Sequence, residues 1–396
     1  MNKRSIINIV KYSRVVYMLY FYIGSGLIRL LGLITSIRPK RIVFSSFGGR
    51  KYDDSPRCIF EAMLNDSRFD DYEFIWALGK PEDYVINRAR KVKCDSLEYY
   101  KVLMSASVWV TNSSMERGLS FKPKNIFNFN TWHGTALKLM GSDIGKDNTS
   151  FGSLSKKNHN DIMLAQGQYD VDVFSRVFGV PKDNFRIIGL PRNDELVYYN
   201  TLDTRRIIRM KLGIPDDKKV ILYAPTFREY NKDAGKNCKM SLPINLNNWV
   251  DKLGDNYMLL IRAHYEVVKM MNIEDTGAVK NVSSYPNLNE LMIASDMLIS
   301  DYSSIFFDYS ILDKPMLCYA YDYDKYVSHR GLYFDVRNKI QSCCNEEELI
   351  NLILSLDVDK AIENTRIFKK QYVEVFGNAS KLSVDIIWDY LNGRKF

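Results

Sequence analysis

The sequence predicts an α/β fold of two facing Rossmann-like domains, preceded by an amphipathic helix at the amino terminus. Three observations carry the two-domain prediction. The chain has 396 residues, which is too long for one ordinary domain and suits two. From residue 41 onward, short β-rich runs alternate with helical patterns, which is the rhythm of βαβ units. A polar helical stretch within residues 194–215 interrupts this rhythm before a fresh series of strands begins.

The composition is that of a folded globular protein, with 46% hydrophobic and 26% charged residues. It excludes long disorder, a collagen-like repeat and a multi-span transporter. Lys and Arg number 55 against 47 Asp and Glu, so the formal net charge is +8. The six cysteines show no disulfide framework, and the four histidines form no metal-ligand pair. We therefore expect a reducing, cytosolic compartment, no metal and no cofactor.

Residues 1–40 form the first predicted region, a membrane-associating segment. The uncharged stretch over residues 15–28 is too short to span a bilayer, and Arg29 interrupts the apolar run. On a helical wheel, basic residues share one arc and apolar residues lie opposite: Lys3, Arg4, Lys11, Arg14 and Arg29 against Ile6, Ile9, Val16, Tyr20, Ile23, Leu27, Leu30 and Ile34. Such a helix lies in the interface of an anionic membrane, so residues 1–37 are predicted to attach the protein peripherally. A helix packed on the protein itself and a single tilted span are the alternatives.

Ten runs after residue 40 are predicted to be strands: RIVFSSF, YEFIWAL, SVWVTN, NIFNFNT, DIMLAQ, FRIIGL, KKVILYAP, YMLLIRAH, DMLISD and PMLCYA. The first six belong to a predicted amino-terminal Rossmann-like domain at residues 41–200. The last four belong to a predicted carboxyl-terminal Rossmann-like domain at residues 201–396. The final helix, residues 384–392, is predicted to pack back on one of the two domains.

Unusual polar residues follow five of these strands. They form the runs TWHGT (131–135), PRND (191–194), PTFR (225–228), RAH (262–264) and DYSS (301–304). Because ligands bind at the carboxyl ends of the strands in open parallel sheets, these runs are predicted to line one cleft. Together they supply two imidazoles, three arginines and several hydroxyls, a set that fits an anionic substrate.

The run SSIFFDY is predicted to open a helix, with Asp301 or Ser303 as its cap. Free N–H groups and the positive end of the helix dipole bind phosphate at such a terminus, and the Ser303 and Ser304 hydroxyls add donors. Asp308 lies one turn after Ser304, and its carboxylate suits the hydroxyl groups of a polyol. Plain helix capping is the alternative for the serines. The glycine pair in FGGR is a weak signal by itself, and neither a Walker pattern nor GxGxxG is present.

Together the motifs resemble those of the CDP-glycerol glycerophosphotransferase family of teichoic acid and related capsule polymer synthesis. They are FGGRKYDDSP, TWHGTALK, GLPRND, YAPTFR, LIRAH, SDYSSIFFDY, KPMLCYAYDYDKY and HRGLYFD, in the expected order over residues 41–335. The resemblance implies a two-domain glycosyltransferase-B fold with its active site in the interdomain cleft. In that fold, residues 41–200 would form the acceptor-side domain and residues 201–396 the donor-binding domain. It also implies association with the cytoplasmic face of the bacterial cell membrane.

Residue by residue, the resemblance assigns the essential histidine of the family to His133, beside Trp132, Gly134 and Thr135. The other matched positions are Arg192, Pro225, Thr226, Arg262, His264, Ser303, Ser304 and Asp308. The sequence departs from the family pattern at four positions: Ser55 stands for asparagine, Ala136 for proline, Phe227 for tryptophan and Ala263 for methionine. Because Ser55 lies in the acceptor-side motif, its change leaves the acceptor open.

The implied reaction is attack of an acceptor hydroxyl on the β-phosphorus of CDP-glycerol, which forms a phosphodiester and releases CMP. His133 is predicted to be the general base, and His264, beside Arg262, to hold the pyrophosphate and the departing CMP. The roles of the two histidines are exchangeable. Arg192 and Arg228 are predicted to make further phosphate contacts, and Ala136 and Ala263 belong to the predicted substrate-binding set.

Alternative functions stay open beside this prediction. A CDP-ribitol-dependent enzyme on the same scaffold differs only in the polyol contacts around Asp308. A transferase of the same fold that uses a nucleotide sugar is a second alternative, and a non-catalytic lipid-binding module is a third. The acceptor is predicted to be a lipid-linked saccharide or polyol phosphate. Nucleic acid is not expected as a partner, because the charge is not gathered with aromatic residues into a groove-like run.

Overall fold

The computed structural model describes residues 13–144, 159–226, 228, 242–263 and 275–394. Contacts between residues divide the chain into two compact units. The first consists of Met1–His133, Met140–Asp194 and Val375–Phe396, and the second of Gly134–Leu139 and Glu195–Glu374. Each unit is built around its own parallel β-sheet, so the predicted α/β class is confirmed.

The described part of the first unit contains a seven-stranded parallel sheet in the order β3-β2-β1-β4-β5-β6-β7. Its strands are β1 (Arg41–Ser45), β2 (Glu73–Leu78), β3 (Ala89–Lys93), β4 (Val108–Thr111), β5 (Phe127–Asn130), β6 (Ile162–Ala165) and β7 (Phe185–Ile187). The chain builds outward in both directions from β1 and β4, which pair Ile42 with Val108 and Ser45 with Thr111. Such a reversal of strand order opens a crevice at the carboxyl ends of the two strands.

Aromatic side chains fill the core on one face of this sheet. Phe44 of β1 stacks on Trp76 of β2 with ring centres 5.5 Å apart, and Phe60 from a neighbouring helix contacts both rings edge-on. Every residue of β1 is buried, which explains its nearly continuous apolar run. The described residues of this unit include the α-helices Arg14–Leu33, Asp54–Leu64, Leu97–Ser105, Gln168–Phe178 and Ala379–Leu391.

The described part of the second unit contains a six-stranded parallel sheet in the order β10-β9-β8-β11-β12-β13. Its strands are β8 (Lys219–Tyr223), β9 (Tyr257–Ile261), β10 (Val279–Asn281), β11 (Met297–Ser300), β12 (Met316–Tyr319) and β13 (Gln341–Cys343). Its helices are Glu195–Tyr198, Leu202–Leu212, Leu246–Leu253, Leu288–Ala294, Ile305–Ser310, Tyr323–Arg330, Glu346–Leu354 and Val358–Tyr372. Here β8 and β11 lie side by side where the order reverses.

All ten predicted strands are present, whereas β3, β10 and β13 were not predicted. Each of these three lies at an edge of its sheet. The strands β10 and β13 have only three residues each, and β3 reads ARKVK, in which Arg90 and Lys93 are exposed. Edge strands need only one covered face and tolerate charge, so they lack the apolar pattern by which a buried strand is recognised.

The helix Ala379–Leu391, which corresponds to the final helix predicted to pack back on one of the two domains, belongs by its contacts to the first unit. Its side chains Val384 and Ile387 join the aromatic core of the first sheet. The carboxylate of Asp194 accepts hydrogen bonds from the N–H groups of Ala379 (2.9 Å) and Ser380 (2.7 Å) at the start of this helix. The short segment Gly134–Leu139 likewise lies with the second unit rather than within the predicted range 41–200.

The helix Arg14–Leu33 is held to the first unit along one face. The Tyr17 hydroxyl donates to the carbonyl of Gly118 (3.3 Å), and the Ser25 hydroxyl accepts from the N–H of Ser120 (2.9 Å). Arg29, which was predicted to join the basic stripe, donates from Nη2 to the Ser120 carbonyl (2.7 Å). Its guanidinium is therefore engaged by the protein, because it lies over the loop that follows β4.

The opposite face of this helix carries exposed apolar side chains: Val15, Leu19, Tyr22, Ile23, Leu27, Leu30 and Leu33. By length and composition alone, the helix is apolar enough to cross a membrane, and it is near the amino terminus. The predicted basic residues Lys3, Arg4 and Lys11 lie outside the described residues. The predicted amino-terminal helix is thus present from Arg14 onward, with one face packed and one face open.

Candidate active site

His133 stands three residues after the end of β5. The backbone of the preceding residue, Trp132, has a φ of 50°, a left-handed conformation that is unusual for a bulky residue. Two contacts hold it there: its N–H donates to Oδ1 of Asn130 (2.8 Å), and its ring packs against Phe174 and Phe178. The Trp132 ring also lies 4.0 Å from the His133 ring, centre to centre. The strained turn therefore fixes where the imidazole lies.

One hydrogen bond determines the tautomer of His133. Its Nδ1 lies 2.8 Å from the backbone carbonyl oxygen of Asn112, at the end of β4. Because a carbonyl oxygen only accepts, Nδ1 carries the proton, and Nε2 of the neutral ring keeps a free lone pair. Burial lowers the pKa of His133 below its usual value, against the opposing effect of the Asn112 bond. The residue is therefore a neutral imidazole at pH 7, with the acceptor nitrogen that a general base requires.

Asn112 also organises the glycine loop that follows β1. Its Oδ1 accepts from the N–H of Phe47 (2.7 Å), and the Ser113 hydroxyl accepts from the N–H of Gly48 (2.9 Å). The Phe47 ring lies 5.8 Å from the His133 ring. Thus the run FGGR, a weak signal in the sequence, borders the imidazole at the crevice between β1 and β4. Asn112 was missed because it acts on His133 through its main chain, which leaves no residue-type signature.

Arg192 lies at the end of the same sheet, in the turn after β7. Its Nη1 donates to Oδ2 of Asp54 (3.0 Å), and its N–H lies 3.4 Å from the hydroxyl oxygen of the fully buried Ser55. The charges of Asp54 and Arg192 act on His133 in opposite directions: Asp54 raises the pKa of His133, and Arg192 lowers it. The structure therefore brings Arg192, the acceptor-side motif and His133 to one edge, and it gives Ser55 a packing contact with the Arg192 turn.

The motif TWHGTALK divides directly after His133. Its later residues belong to the second unit, where the Leu137 carbonyl accepts from the N–H of Tyr333 (2.9 Å). The N–H of Leu139 donates to the carbonyl of Gly331 (3.1 Å), within the run HRGLYFD. Thr135 and Ala136 are buried there. Two motifs that are almost 200 residues apart in the sequence are thus joined in the fold.

At the carboxyl end of β11, Asp301 connects the predicted phosphate-binding residues of the second unit. Its Oδ1 accepts from the N–H groups of Thr226 (2.9 Å) and Tyr302 (2.7 Å). The Ser303 hydroxyl accepts from the N–H of Ile305 (3.3 Å), the first residue of the short helix Ile305–Ser310, whose N-cap residue is Ser304. The Thr226 hydroxyl is buried, without a hydrogen-bond partner among the described residues.

The remaining predicted residues of this unit differ in their burial and in their hydrogen-bond partners. Arg262 follows β9, and its Nη1 donates to the carbonyls of Val282 (3.1 Å) and Tyr285 (2.5 Å). Ala263 and Asp308 are buried. Arg228 is also buried, and its guanidinium is paired with carboxylates. The predicted residues Phe227 and His264 lie outside the described residues, whereas Pro225 precedes Thr226 at the end of β8.

The other described histidines have ordinary partners. His159 pairs through Nδ1 with Glu116 Oε2 (2.5 Å), and His329 pairs through Nδ1 with the carbonyl of Lys325 (2.8 Å) on an exposed helix. Within the described ranges, no group of three or more His, Cys, Asp or Glu side chains is placed to hold a metal ion. Of these three histidines, His133 is the one that combines a main-chain hydrogen bond at Nδ1 with a position beside the crevice between β1 and β4.

Comparison with known proteins identifies the family. A family model for CDP-glycerol:poly(glycerophosphate) glycerophosphotransferase matches residues 28–389. The chain is 37% identical over 317 residues to the teichoic acid poly(glycerol phosphate) polymerase of Staphylococcus epidermidis, an alignment that covers 76% of this chain and 43% of that protein. It is 30% identical to the teichoic acid glycerol-phosphate transferase of Staphylococcus aureus, over 86% of this chain and 90% of that protein.

The fold agrees with a solved relative. The structure of the wall teichoic acid polymerase TagF superposes with a TM-score of 0.83 at 30% identity and covers 100% of both chains. A histidine-to-asparagine variant of TagF soaked with CDPG matches with a TM-score of 0.82. The chain spans 43% of the length of the Staphylococcus epidermidis polymerase and nearly all of the TagF chain. With a match over residues 28–389, the chain belongs to the CDP-glycerol:poly(glycerophosphate) glycerophosphotransferase family.

Proposed function

We propose that the protein transfers glycerol phosphate from CDP-glycerol to a hydroxyl of a membrane lipid-linked acceptor, with release of CMP, in the synthesis of teichoic acid or a related polymer. Family membership and the TagF variant soaked with CDPG support this donor. The observation that carries the proposal within this molecule is the Asn112–His133 hydrogen bond, which leaves Nε2 of a neutral imidazole as a base.

In the proposed reaction, Nε2 of His133 takes the proton of the acceptor hydroxyl as its oxygen attacks the β-phosphorus. The new oxygen–phosphorus bond completes the phosphodiester. The bond between the β-phosphorus and the bridging oxygen breaks, and CMP leaves with the electron pair. Because phosphoryl transfer depends mainly on positioning and on neutralising charge, the other groups have to bind the donor rather than react with it.

The proposed donor contacts come from the second unit. Thr226 supports this role because its buried hydroxyl has no hydrogen-bond partner among the described residues. An unsatisfied buried hydroxyl is destabilising, and a hydrogen bond to a phosphate oxygen would remove that penalty. Arg262, His264, Ser303 and Ser304 complete the proposed phosphate set, and Asp308 is proposed to face the glycerol. On the acceptor side we propose His133 and Arg192, with the remaining substrate-binding positions at Trp132, Gly134, Thr135, Ala136, Pro225 and Ala263.

The finer fold assignment belongs to the same proposal. The two parallel sheets and the similarity to TagF support a glycosyltransferase-B arrangement. In it, the half around residues 41–200 takes the acceptor and the half after residue 200 takes the donor.

We also propose that the protein binds peripherally to the cytoplasmic face of the bacterial cell membrane. Support comes from the helix Arg14–Leu33, whose outer face exposes Leu27 and Leu30 while its inner face is hydrogen-bonded to the loop after β4. A helix held in this way favours lying in the interface over spanning, because a span would give up those hydrogen bonds. Leu97 and Tyr100 extend the apolar surface onto a second helix.

The membrane proposal is tested by sedimentation with anionic vesicles. The double variant Leu27→Glu/Leu30→Glu removes apolar contact without touching the packed face, so we expect it to stay in the supernatant. Leu354→Glu, which changes an exposed leucine of the second unit, is the matched control and sediments like the wild type. Continued sedimentation of the double variant would show that another surface is the anchor.

The function is tested by incubating the purified protein separately with CDP-glycerol and with CDP-ribitol, each with a lipid-linked acceptor. We expect CMP release and product growth with CDP-glycerol. Release with CDP-ribitol instead would assign the alternative donor. Release with neither would refute polyol phosphate transfer and leave a nucleotide-sugar transferase or a non-catalytic module.

A further inference from the structure

Arg228 is one of the most completely engaged side chains of the second unit. Its Nε and Nη2 donate to the two carboxylate oxygens of Asp322 (2.7 and 2.8 Å), which is the bidentate arrangement that only arginine makes. Nη2 also lies 2.9 Å from Asp301 Oδ2. Nη1 donates to the main-chain carbonyl of Thr226 (2.7 Å). The guanidinium is thus surrounded by partners from the protein.

Three tyrosine rings enclose the same guanidinium. Its central carbon lies 5.1 Å from the ring centre of Tyr302 and 5.0 Å from those of Tyr321 and Tyr326. Tyr302 and Tyr326 stack on each other at 4.1 Å, and the Tyr302 hydroxyl donates to Asp322 (3.2 Å). Only 6% of the Arg228 side chain is exposed, so a phosphate would have to displace protein contacts to reach it.

These contacts join three neighbouring loops. Thr226 and Arg228 follow β8, Asp301 follows β11, and Asp322 follows β12, and these three strands are adjacent and parallel. Asp301 also connects the β8 loop to its own loop, because its second oxygen, Oδ1, accepts hydrogen bonds from the N–H groups of Thr226 and Tyr302. The loop that carries Ser303 and Ser304 and the loop that carries Thr226 are therefore held together through one arginine.

A second buried arginine clamps two of the same strands at their other end. Arg209 pairs with Asp296 (2.7 Å), which precedes β11, and Asp296 accepts from the N–H of Val220 at the start of β8 (2.7 Å). Arg209 also donates to the carbonyls of Ala294 and Lys218. Both arginines stabilise the sheet, but only Arg228 lies at the carboxyl ends, where ligands bind.

We propose that Arg228 is a positioning residue for donor binding: it holds the β8, β11 and β12 loops so that Thr226, Ser303 and Ser304 meet the phosphates, and it does not bind the phosphates itself. This replaces the direct contact expected from the sequence. The inference rests on the proposed function, since it takes CDP-glycerol as the donor. Arg228 also offsets the charge of the buried Asp301 and of the half-buried Asp322, two carboxylates that would otherwise repel a diphosphate.

Asp322→Asn separates positioning from direct binding. It keeps the size of the side chain, weakens the clamp and removes a negative charge. If Arg228 positions the loops, the KM for CDP-glycerol rises by about tenfold, since hydrogen bonds between charged groups are the strong ones, while kcat changes less. If Arg228 is itself a phosphate ligand, the freed guanidinium and the lost carboxylate leave the KM unchanged or lower it, and that result overturns the proposal.

Arg228→Lys and Arg209→Lys form the matched pair. Each keeps the positive charge and loses the forked geometry, so we expect both to lower the thermal midpoint of unfolding. Only Arg228→Lys raises the KM for CDP-glycerol. An equal rise in both variants would mean general loosening of the sheet, and an unchanged KM in Arg228→Lys would mean no positioning role. Failure of the wild type to release CMP from CDP-glycerol would refute the proposed function instead.

Discussion

The carboxyl ends of the two sheets hold their functional groups by different means. In the first unit, the main chain positions His133: a strained Trp132 backbone sets the turn, and the Asn112 carbonyl sets the tautomer. In the second unit, charged side chains position the loops, with Arg228 between Asp301 and Asp322. A histidine acts as a general base in its neutral form. A diphosphate is strongly charged, so the hydrogen-bond donors that bind it have to be held in place against its electric field.

This difference predicts which kinetic constant each region controls. Groups that hold the imidazole act on the chemical step, so their loss should lower kcat. Groups that hold the phosphate loops act mainly on donor binding, so their loss should raise the KM. The predictions that follow test this division, beginning with the largest expected effect.

His133→Asn is expected to lower kcat by about 10²- to 10⁴-fold, the usual contribution of a general base, as measured by CMP release. Asparagine keeps a polar side chain but has no basic nitrogen. The control is His329→Asn, on an exposed helix of the second unit, which should retain the wild-type rate. A His133→Asn enzyme with more than a tenth of the wild-type kcat would remove His133 from the chemistry.

Gly49→Ala is expected to destabilise the first unit by about 2 kcal/mol more than Gly118→Ala in denaturant unfolding. The two glycines have nearly the same positive φ, 83° and 81°, a conformation that strains alanine at both positions. A Cβ at Gly49 would clash with the Cys94 Sγ, whereas a Cβ at Gly118 meets nothing within 4 Å. Equal losses would mean that the glycine loop beside His133 is not tightly packed.

The smallest expected effect is on the pH dependence of kcat/KM, whose acid limb reports the protonation of His133. Asp54→Asn removes a negative charge that raises the pKa of His133, so the acid limb should move to lower pH. Arg192→Met removes a positive charge that lowers the same pKa, so the limb should move to higher pH. Asp70→Asn, at the amino end of the sheet, should leave the profile in place. Shifts of the same sign in the first two variants would contradict the assignment of the limb to His133.

Much of the fold follows from the sequence, because the central strands are buried on both faces and read as apolar runs. The strands β1, β4, β8 and β11 are of this kind, and their positions place the polar runs at the carboxyl ends. The edge strand β3 escapes prediction because it is rich in basic residues, of which Arg90 and Lys93 are exposed. The placement of Gly134–Leu139 with the second unit also escapes, since it depends on long-range contacts.

The site is predictable in its residue types but not in its hydrogen bonds. His133 is recognisable from its motif, yet the Asn112 carbonyl that orients it belongs to the main chain, which every residue has. Arg228 shows the same limit: an arginine that binds phosphate and an arginine that binds two aspartates look alike in sequence. Arg29 was likewise predicted to face lipid because a helical wheel does not show the Ser120 carbonyl.

The division between a base side and a donor side is tested most directly by the affinity of the His133→Asn variant for CDP-glycerol, measured by titration calorimetry. If the second unit alone positions the donor, the Kd stays within about twofold of the wild-type value although turnover is lost. If the Kd weakens by about tenfold or more, His133 binds the donor, and the proposed separation of the two roles is contradicted.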